Sequence, residues 1–247
     1  VINVIRPLLL DLFCGAGGAS AGYHRAGFDV AGVDAEPQPR YPFAFIRADA
    51  LAVMETLLAG ETLYADDRAY VLADFAALTG SPPCQDYSKN MRHLASGYPR
   101  LIEPVREAFQ AAGRPWVIEN VAGAPLPAQD DLFGAHGTEL CGSMFGLRIY
   151  RHRLFETSFP VMAPRGCDHS LLPMNPHNAR SRQQWRQILG PGVPIERTWR
   201  EEMGVGWMNG AEGREAIPPA MTEEIGLQLL AHLASTEAAS TPSELRE

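Results

Sequence analysis

The sequence predicts an α/β protein: a Rossmann-like, parallel sheet with helices on both faces and a small irregular second lobe. Three observations carry this. Short apolar runs alternate with amphipathic or Ala-rich segments through residue 121. The first apolar run ends in a glycine cluster, Gly15-Ala16-Gly17-Gly18. After Leu140 the alternation stops, and residues 160–208 are rich in Pro, Gly, Arg and Asn with weak periodicity.

Taken in order, residues 8–13 read as a strand running into a tight turn, and residues 19–26 have helical composition. Residues 30–33 form a second strand that ends at Asp34. Residues 43–46 form a third, with Asp49 just beyond it, followed by a helix over 50–58. Residues 61–74 are ambiguous, with a turn or helix end at 65–68. Residues 75–79 are a strand. Residues 101–112 are a helix with Leu101, Val105 and Ala108 spaced for one face, and 116–118 a further strand. Residues 143–155 fit paired strands. A last helix over 217–233 is entered through Pro218-Pro219. From Ser235 the chain is small and polar and is expected to be disordered. The expected division is a main body over 1–157 plus 211–234, a small lobe over 158–210 and a tail over 235–247.

Composition narrows the function classes. No run approaches the ~18 apolar residues of a membrane helix, and Leu8-Leu9-Leu10 is too short for a secretory signal. Four cysteines, Cys14, Cys84, Cys141 and Cys167, lie far apart, which favours reduced thiols and a cytoplasmic setting. The net charge is −8, but nine arginines between Arg148 and Arg200 face only three acids, so that stretch is about +6 and the rest about −14. Such a basic lobe can hold phosphates or be a solvated arginine-rich face. Cys141, Cys167, His169 and His177 offer zinc-ligand chemistry, but their spacing matches no standard site, and no metal is expected.

Four constellations carry chemistry. Phe13-Cys14-Gly15-Ala16-Gly17-Gly18 removes side chains where backbone approaches a ligand or a helix starts abruptly. It departs from the Gly-x-Gly-x-x-Gly dinucleotide pattern and lacks Gly-Lys-Ser/Thr. A nucleoside cofactor without pyrophosphate therefore fits better, with Asp34 on the ribose and Asp49 on an adenine amino group. In Gly80-Ser81-Pro82-Pro83-Cys84-Gln85, two prolines stiffen the loop before the thiol. Cys84 reads as a nucleophile or as a buried structural cysteine; polar Gln85, Asp86 and Ser88 beside it argue against burial. Glu119-Asn120-Val121 sets a carboxyl after an apolar run, and Asn120 suits a loop-fixing hydrogen bond. Arg151 and Arg153 alternate, so on a strand both point to one face.

In this order the four blocks resemble those of the DNA cytosine-C5 methyltransferases, with Ala216-Ile217-Pro218-Pro219 similar to the family's final block. The resemblance covers residues 8–157 and roughly 211–233 and is strongest to short phage and bacterial members, including those of restriction-modification systems. It implies a fold of the S-adenosylmethionine-dependent methyltransferase type. The cofactor would lie against Phe13, Gly15, Gly17, Gly18, Asp34, Asp49 and Pro83. Cys84 would attack carbon 6 of a cytosine flipped out of double-stranded DNA. Glu119 would hold the N3 proton, Arg153 and Arg151 would orient the ring, and Gln85, Ser88 and Asn120 would line the substrate pocket. The protein would act as a monomer. The same chemistry on RNA or free cytosine nucleotide, or a weakly catalytic DNA-binding decoy, is the alternative. Ile149 stands where the family usually has Gln, and Arg214-Glu215 where it usually has Gly-Asn. The short region 158–208 implies short or relaxed target recognition, or help from a partner.

Overall fold

The fold is built around β1 (Leu8–Leu12), in which Leu9, Leu10 and Leu12 are fully buried, as a central strand covered on both faces requires. The computed structural model describes residues 6–65, 68–83, 100–130, 136–170, 180, 183–184 and 195–240. Parallel to β1 lie β2 (Asp29–Asp34) on one side and β6 (Phe75–Gly80) on the other. β3 (Ala44–Arg47) extends the sheet beyond β2, and β7 (Trp116–Val121) beyond β6. The sheet ends with an antiparallel pair, β9 (His152–Thr157) against β7 and β8 (His136–Cys141) outermost, in the order β3-β2-β1-β6-β7-β9-β8. The expectation of a parallel sheet thus holds for five strands. Of the other two, β9 alone runs against the rest, and it is joined to β8 as a hairpin through residues 142–151, which open with the 3₁₀ turn Gly142–Phe145. In the ambiguous 61–74 stretch, β4 (Leu63–Ala65) and β5 (Arg68–Tyr70) form a separate antiparallel pair.

Helices cover both faces. On one, α2 (Ala50–Leu58) and α3 (Ile102–Ala112) set Val53, Met54, Leu57, Val105 and Phe109 on Leu10, Leu12 and Leu78. The buried stripe of α3 is Ile102, Val105 and Phe109, one step round from the Leu101-Val105-Ala108 face expected from spacing. Arg106 of α3 holds buried Glu156 of β9 through both carboxylate oxygens, at 2.8 and 2.7 Å. On the other face, α1 (Gly18–Ala26) packs along α6 (Pro219–Ser240), with Tyr23, Met221, Ile225 and Leu229 over Leu9 and Val117. Gly22 of α1 permits this contact, since a Cβ there would lie 2.0 Å from Thr222 Oγ1.

Several boundaries differ from expectation: residues 143–155, expected as paired strands, hold only most of the 3₁₀ turn and the start of β9, with β8 lying earlier, at His136–Cys141. α6 runs to Ser240, so residues 235–240 are helical where disorder is expected; 241–247 lie outside the described residues. α4 (Ile195–Glu202), placed by sequence in the second lobe, contributes Trp199 to a third apolar cluster. Met203, Val205 and Met208 complete it against Ala16 and Ile149 of the main body. Among the described residues no helix is long and apolar enough to cross a membrane.

Candidate active site

The chemistry-bearing blocks meet at one edge of the sheet, because β1, β2, β6 and β7 are parallel and each block lies at or just after a strand's carboxyl end. β9 runs the opposite way, so its first residues reach the same edge: Arg153 pairs in register with Val121, and Phe155 with Glu119. That register makes Glu119 and Arg153 diagonal neighbours on one face. Glu119 Oε1 lies 2.8 Å from Arg153 Nε; the Glu119 side chain is buried and that of Arg153 half-buried. The contact is a charge pair rather than an aligned hydrogen bond, and among the described residues no donor completes one to Oε1. Burial pushes the Glu119 carboxyl above the ordinary carboxylate range, while Arg153, the Ser81 hydroxyl and Arg151 pull it back.

Asn120, almost wholly buried, donates from Nδ2 to the carbonyl of Pro82 at 2.8 Å and accepts from the Val121 amide at 2.9 Å. The Ser81 amide donates to Leu12 O at 3.1 Å. The Ser81-Pro82-Pro83 segment is therefore fastened to both β7 and β1, with Pro83 half-buried at its end. Cys84, Gln85 and Ser88 lie outside the described residues. Arg151 does not point with Arg153: it precedes β9 and donates to the carbonyls of Gly213, at 3.4 Å, and Arg214.

In the glycine loop Phe13 is left-handed, at φ 57°, as are Gly15 at 49° and Gly17 at 86°. Their surroundings differ. A Cβ on Gly15 would meet nothing within 4 Å, one on Gly17 would press on Tyr41 and Pro42, and one on Gly18 would lie 2.6 Å from Ile217 O. Gly15 thus leaves open space, while Gly18 serves protein packing. Asp34 accepts the Gly15 amide at 3.0 Å through Oδ2 and the Glu36 amide at 2.9 Å through Oδ1, bracing the loop it was expected to serve only through a ligand. Asp49 caps α2, accepting from Leu51 and Ala52 through Oδ1, both at 3.0 Å.

Beneath the loop lies a polar cluster that the sequence reading missed. Asp11 accepts from the Ser20 hydroxyl, and Ser20 Oγ is 2.9 Å from the Tyr41 hydroxyl. Asp11 Oδ1 has no hydrogen-bond partner among the described residues. Burial, opposed by the Ser20 hydroxyl and reinforced by the charges of Asp34 and Glu119, pushes Asp11 up to about 7. Cys14, close by, is buried too; burial first, then Asp11 and Asp34, push its thiol up, an environment unsuited to a nucleophile.

The C-terminal segment closes over the loop. Trp207 Nε1 donates to Ala16 O at 3.0 Å, and Arg40 grips both oxygens of Glu212 on α5 (Gly210–Glu215). Ile149 is buried in the third apolar cluster, which accounts for an apolar residue at that position. Glu215 is exposed at the end of α5.

A second cluster forms at the turn end of the β8–β9 hairpin. Cys141, His152, Cys167 and His169 bring one ligand atom each to within 4.8 Å of one another. His152 was absent from the set weighed by spacing, and His177 lies outside the described residues. The missing signal is strand register: Cys141 is the partner of His152 across β8 and β9.

Residues 8–100 match the family model described as C-5 cytosine-specific DNA methylase. The chain is 32% identical over 123 residues to the type II methyltransferase M.XorII of Xanthomonas oryzae pv. oryzae, across 48% of this chain and 29% of that protein. It is 29% identical over 120 residues to the type II methyltransferase M.AquIA of a Picosynechococcus species, across 47% of this chain and 48% of that protein. These alignments span less than half of either relative. Among solved structures, the Entamoeba histolytica methyltransferase EhMeth superposes with a TM-score of 0.53 at 10% identity, covering 93% of this chain and 99% of that one, a likeness of fold. The matched residues 8–100 hold the glycine-loop and Pro-Pro-Cys blocks.

Proposed function

We propose that this protein transfers a methyl group from S-adenosylmethionine to carbon 5 of a flipped cytosine in double-stranded DNA, with Cys84 as covalent nucleophile, and acts as a monomer. The observation that carries the reading is the pairing of buried Glu119 with Arg153 beside a loop that Asn120 and β1 fasten two residues before Cys84.

The residues have complementary tasks. The Cys84 sulfur forms a bond to carbon 6, and the electron density this adds to the ring is relieved by a proton at N3. Glu119, with its carboxyl raised by burial, is suited to hold that proton. Arg153 fixes the carboxyl and faces the ring's edge. Asn120 keeps the Pro82 carbonyl, and so the thiol's approach, in one geometry. In the release step carbon 5 loses its proton to solvent base, the Cys84–carbon 6 bond breaks to give back the thiolate, and the N3 proton returns to Glu119.

The cofactor's place is supported by fit. Open space at Gly15, Asp34 beside it and the orphaned Asp11 Oδ1 under the loop suit a small polar nucleoside. Phe13, Gly17, Gly18, Asp49 and Pro83 would complete its walls. When bound, S-adenosylmethionine supplies an electrophilic methyl group. Arg151, turned toward residues 213–214, is a brace for the C-terminal cover over this pocket rather than a second ring contact. Gln85 and Ser88, next to the nucleophile, would line the base pocket.

Residues 158–194, with four of the chain's arginines, would contact DNA. Tritiated methyl transfer to duplex DNA, tRNA and dCMP side by side tests the substrate class. Transfer to duplex DNA is expected; transfer to dCMP or tRNA with none to DNA overturns the reading.

A further inference from the structure

We infer that Cys141, His152, Cys167 and His169 form a closed, structural zinc site that pins the loop after β9 to the β8–β9 hairpin. The side chains come from three places: Cys141 ends β8, His152 begins β9 as its register partner, and Cys167-Asp168-His169 follows in an irregular loop.

Four of the six separations between ligand atoms lie within about 0.6 Å of those around one small tetrahedral ion. With Zn–N of ~2.05 Å and Zn–S of ~2.3 Å, tetrahedral geometry sets N···N edges of about 3.3 Å and S···N edges of about 3.6 Å. His152 Nε2 and His169 Nε2 are 3.3 Å apart. Cys167 Sγ lies 3.7 Å from His152 Nε2 and 3.0 Å from His169 Nε2, and Cys141 Sγ lies 3.3 Å from His169 Nε2. Two thiolates and two imidazoles select zinc over the hard cations magnesium and calcium.

The surroundings are those of a ligand set. Glu139 Oε1 accepts from His152 Nδ1 at 2.7 Å, which leaves the Nε2 lone pair for a metal. Tyr150 stacks on His169 with ring centroids 4.0 Å apart, and Ser143 Oγ lies 3.3 Å from Cys141 Sγ and 3.4 Å from Cys167 Sγ. Every residue from Met162 to Ser170 is exposed, so no apolar burial holds this loop against the strands. A metal cross-link supplies that anchor.

Four protein ligands leave no open position for substrate or water. His152 shares its sheet face with Cys141 and Glu139, while neighbouring Arg153 alternates to the other, toward Glu119. The ion is therefore structural. It fixes the start of the strand from which Arg153 projects and the first residues of the arginine-rich lobe.

The test is metal analysis of the full chain, expressed with zinc and purified without chelator. We expect near-stoichiometric zinc, and visible d–d bands of a tetrahedral cobalt–thiolate centre after exchange with cobalt(II). Cys167→Ser and His169→Ala should each lose most of the metal, whereas His177→Ala should keep it. Chelation should lower the melting temperature of the wild-type chain, and zinc should restore it. Zinc-poor protein without cobalt bands would overturn the site. So would full metal retention in the Cys167→Ser, His169→Ala double variant, or a Cys141–Cys167 disulfide in the purified chain.

Discussion

Glu119 and Arg153 face each other across β7 and β9, with Oε1 and Nε 2.8 Å apart, the carboxyl buried and the guanidinium half-buried. The pair stands where the strand bearing Glu119 and the antiparallel strand bearing Arg153 reach the same edge. The guanidinium lowers the cost of ionising Glu119, but burial outweighs it, and the carboxyl stays above its ordinary range. An acid held in this way can hand over a proton and take it back.

Glu119→Gln should lower kcat by about 10²–10⁴-fold, the usual contribution of a placed acid, while DNA affinity changes only a few-fold. The sign of the pH effect follows from the raised carboxyl. The protonated form is the active one, so wild-type kcat falls as pH rises through the raised Glu119 pKa. In Glu119→Gln that alkaline limb should vanish. A variant that keeps both rate and limb would remove Glu119 from the mechanism.

Asn120→Ala should leave the Pro82 carbonyl unpaired in a buried setting, at about 1–3 kcal/mol. The loop before Cys84 then loses its tie to β7. We expect a drop of about 10–100-fold in kcat with cofactor affinity preserved, read by steady-state kinetics and calorimetry. Equal losses in both would point to general unfolding instead.

The glycines should separate by task. Gly18→Ala drives a Cβ to 2.6 Å from Ile217 O and should cost about 1–3 kcal/mol of stability, seen as a lower denaturant midpoint. Gly15→Ala meets no neighbour but forces alanine to φ 49°, a strain of about 1–2 kcal/mol, and fills the open space. Its larger effect should be weaker binding of S-adenosylmethionine. Unchanged cofactor affinity in Gly15→Ala would place the pocket elsewhere.

Asp11 makes stability depend on pH. Its carboxyl, pushed up to about 7, keeps a proton in the folded chain that the unfolded chain has already released. Stability should therefore fall as pH rises between about 4 and 7, by an amount on the order of a few kcal/mol. Asp11→Asn, neutral throughout, should flatten much of that slope in urea titrations. A slope unchanged by the substitution would show that Asp11 ionises normally in the fold.

Much of the architecture was legible because buried strands are apolar runs: 8–13, 30–33 and 75–79 fall within a residue or two of β1, β2 and β6. β7 reaches Val121, past the expected end at Ile118, because Glu119 and Asn120 are polar yet buried, and an apolar run cannot flag them. β8 begins at His136 for a similar reason, since His-Gly-Thr-Glu carries little hydrophobic signal. The α3 stripe was misread because two adjacent faces of that helix are apolar. Within the site, chain order marked Glu119, Arg153 and the glycine loop. It could not reveal that Arg151 turns away, that Gly18 serves packing, or that His152 meets Cys141. Each of those depends on contacts between segments far apart in the chain or on strand register.

The central claim is that Cys84 attacks cytosine covalently, and a duplex containing 5-fluorocytosine in place of cytosine tests it most directly, since fluorine cannot leave as the carbon 5 proton does. With S-adenosylmethionine present, the wild-type chain should form a denaturant-stable DNA adduct that maps to Cys84, and Cys84→Ala should form none. No adduct with the wild-type chain, or one that survives Cys84→Ala, would contradict it.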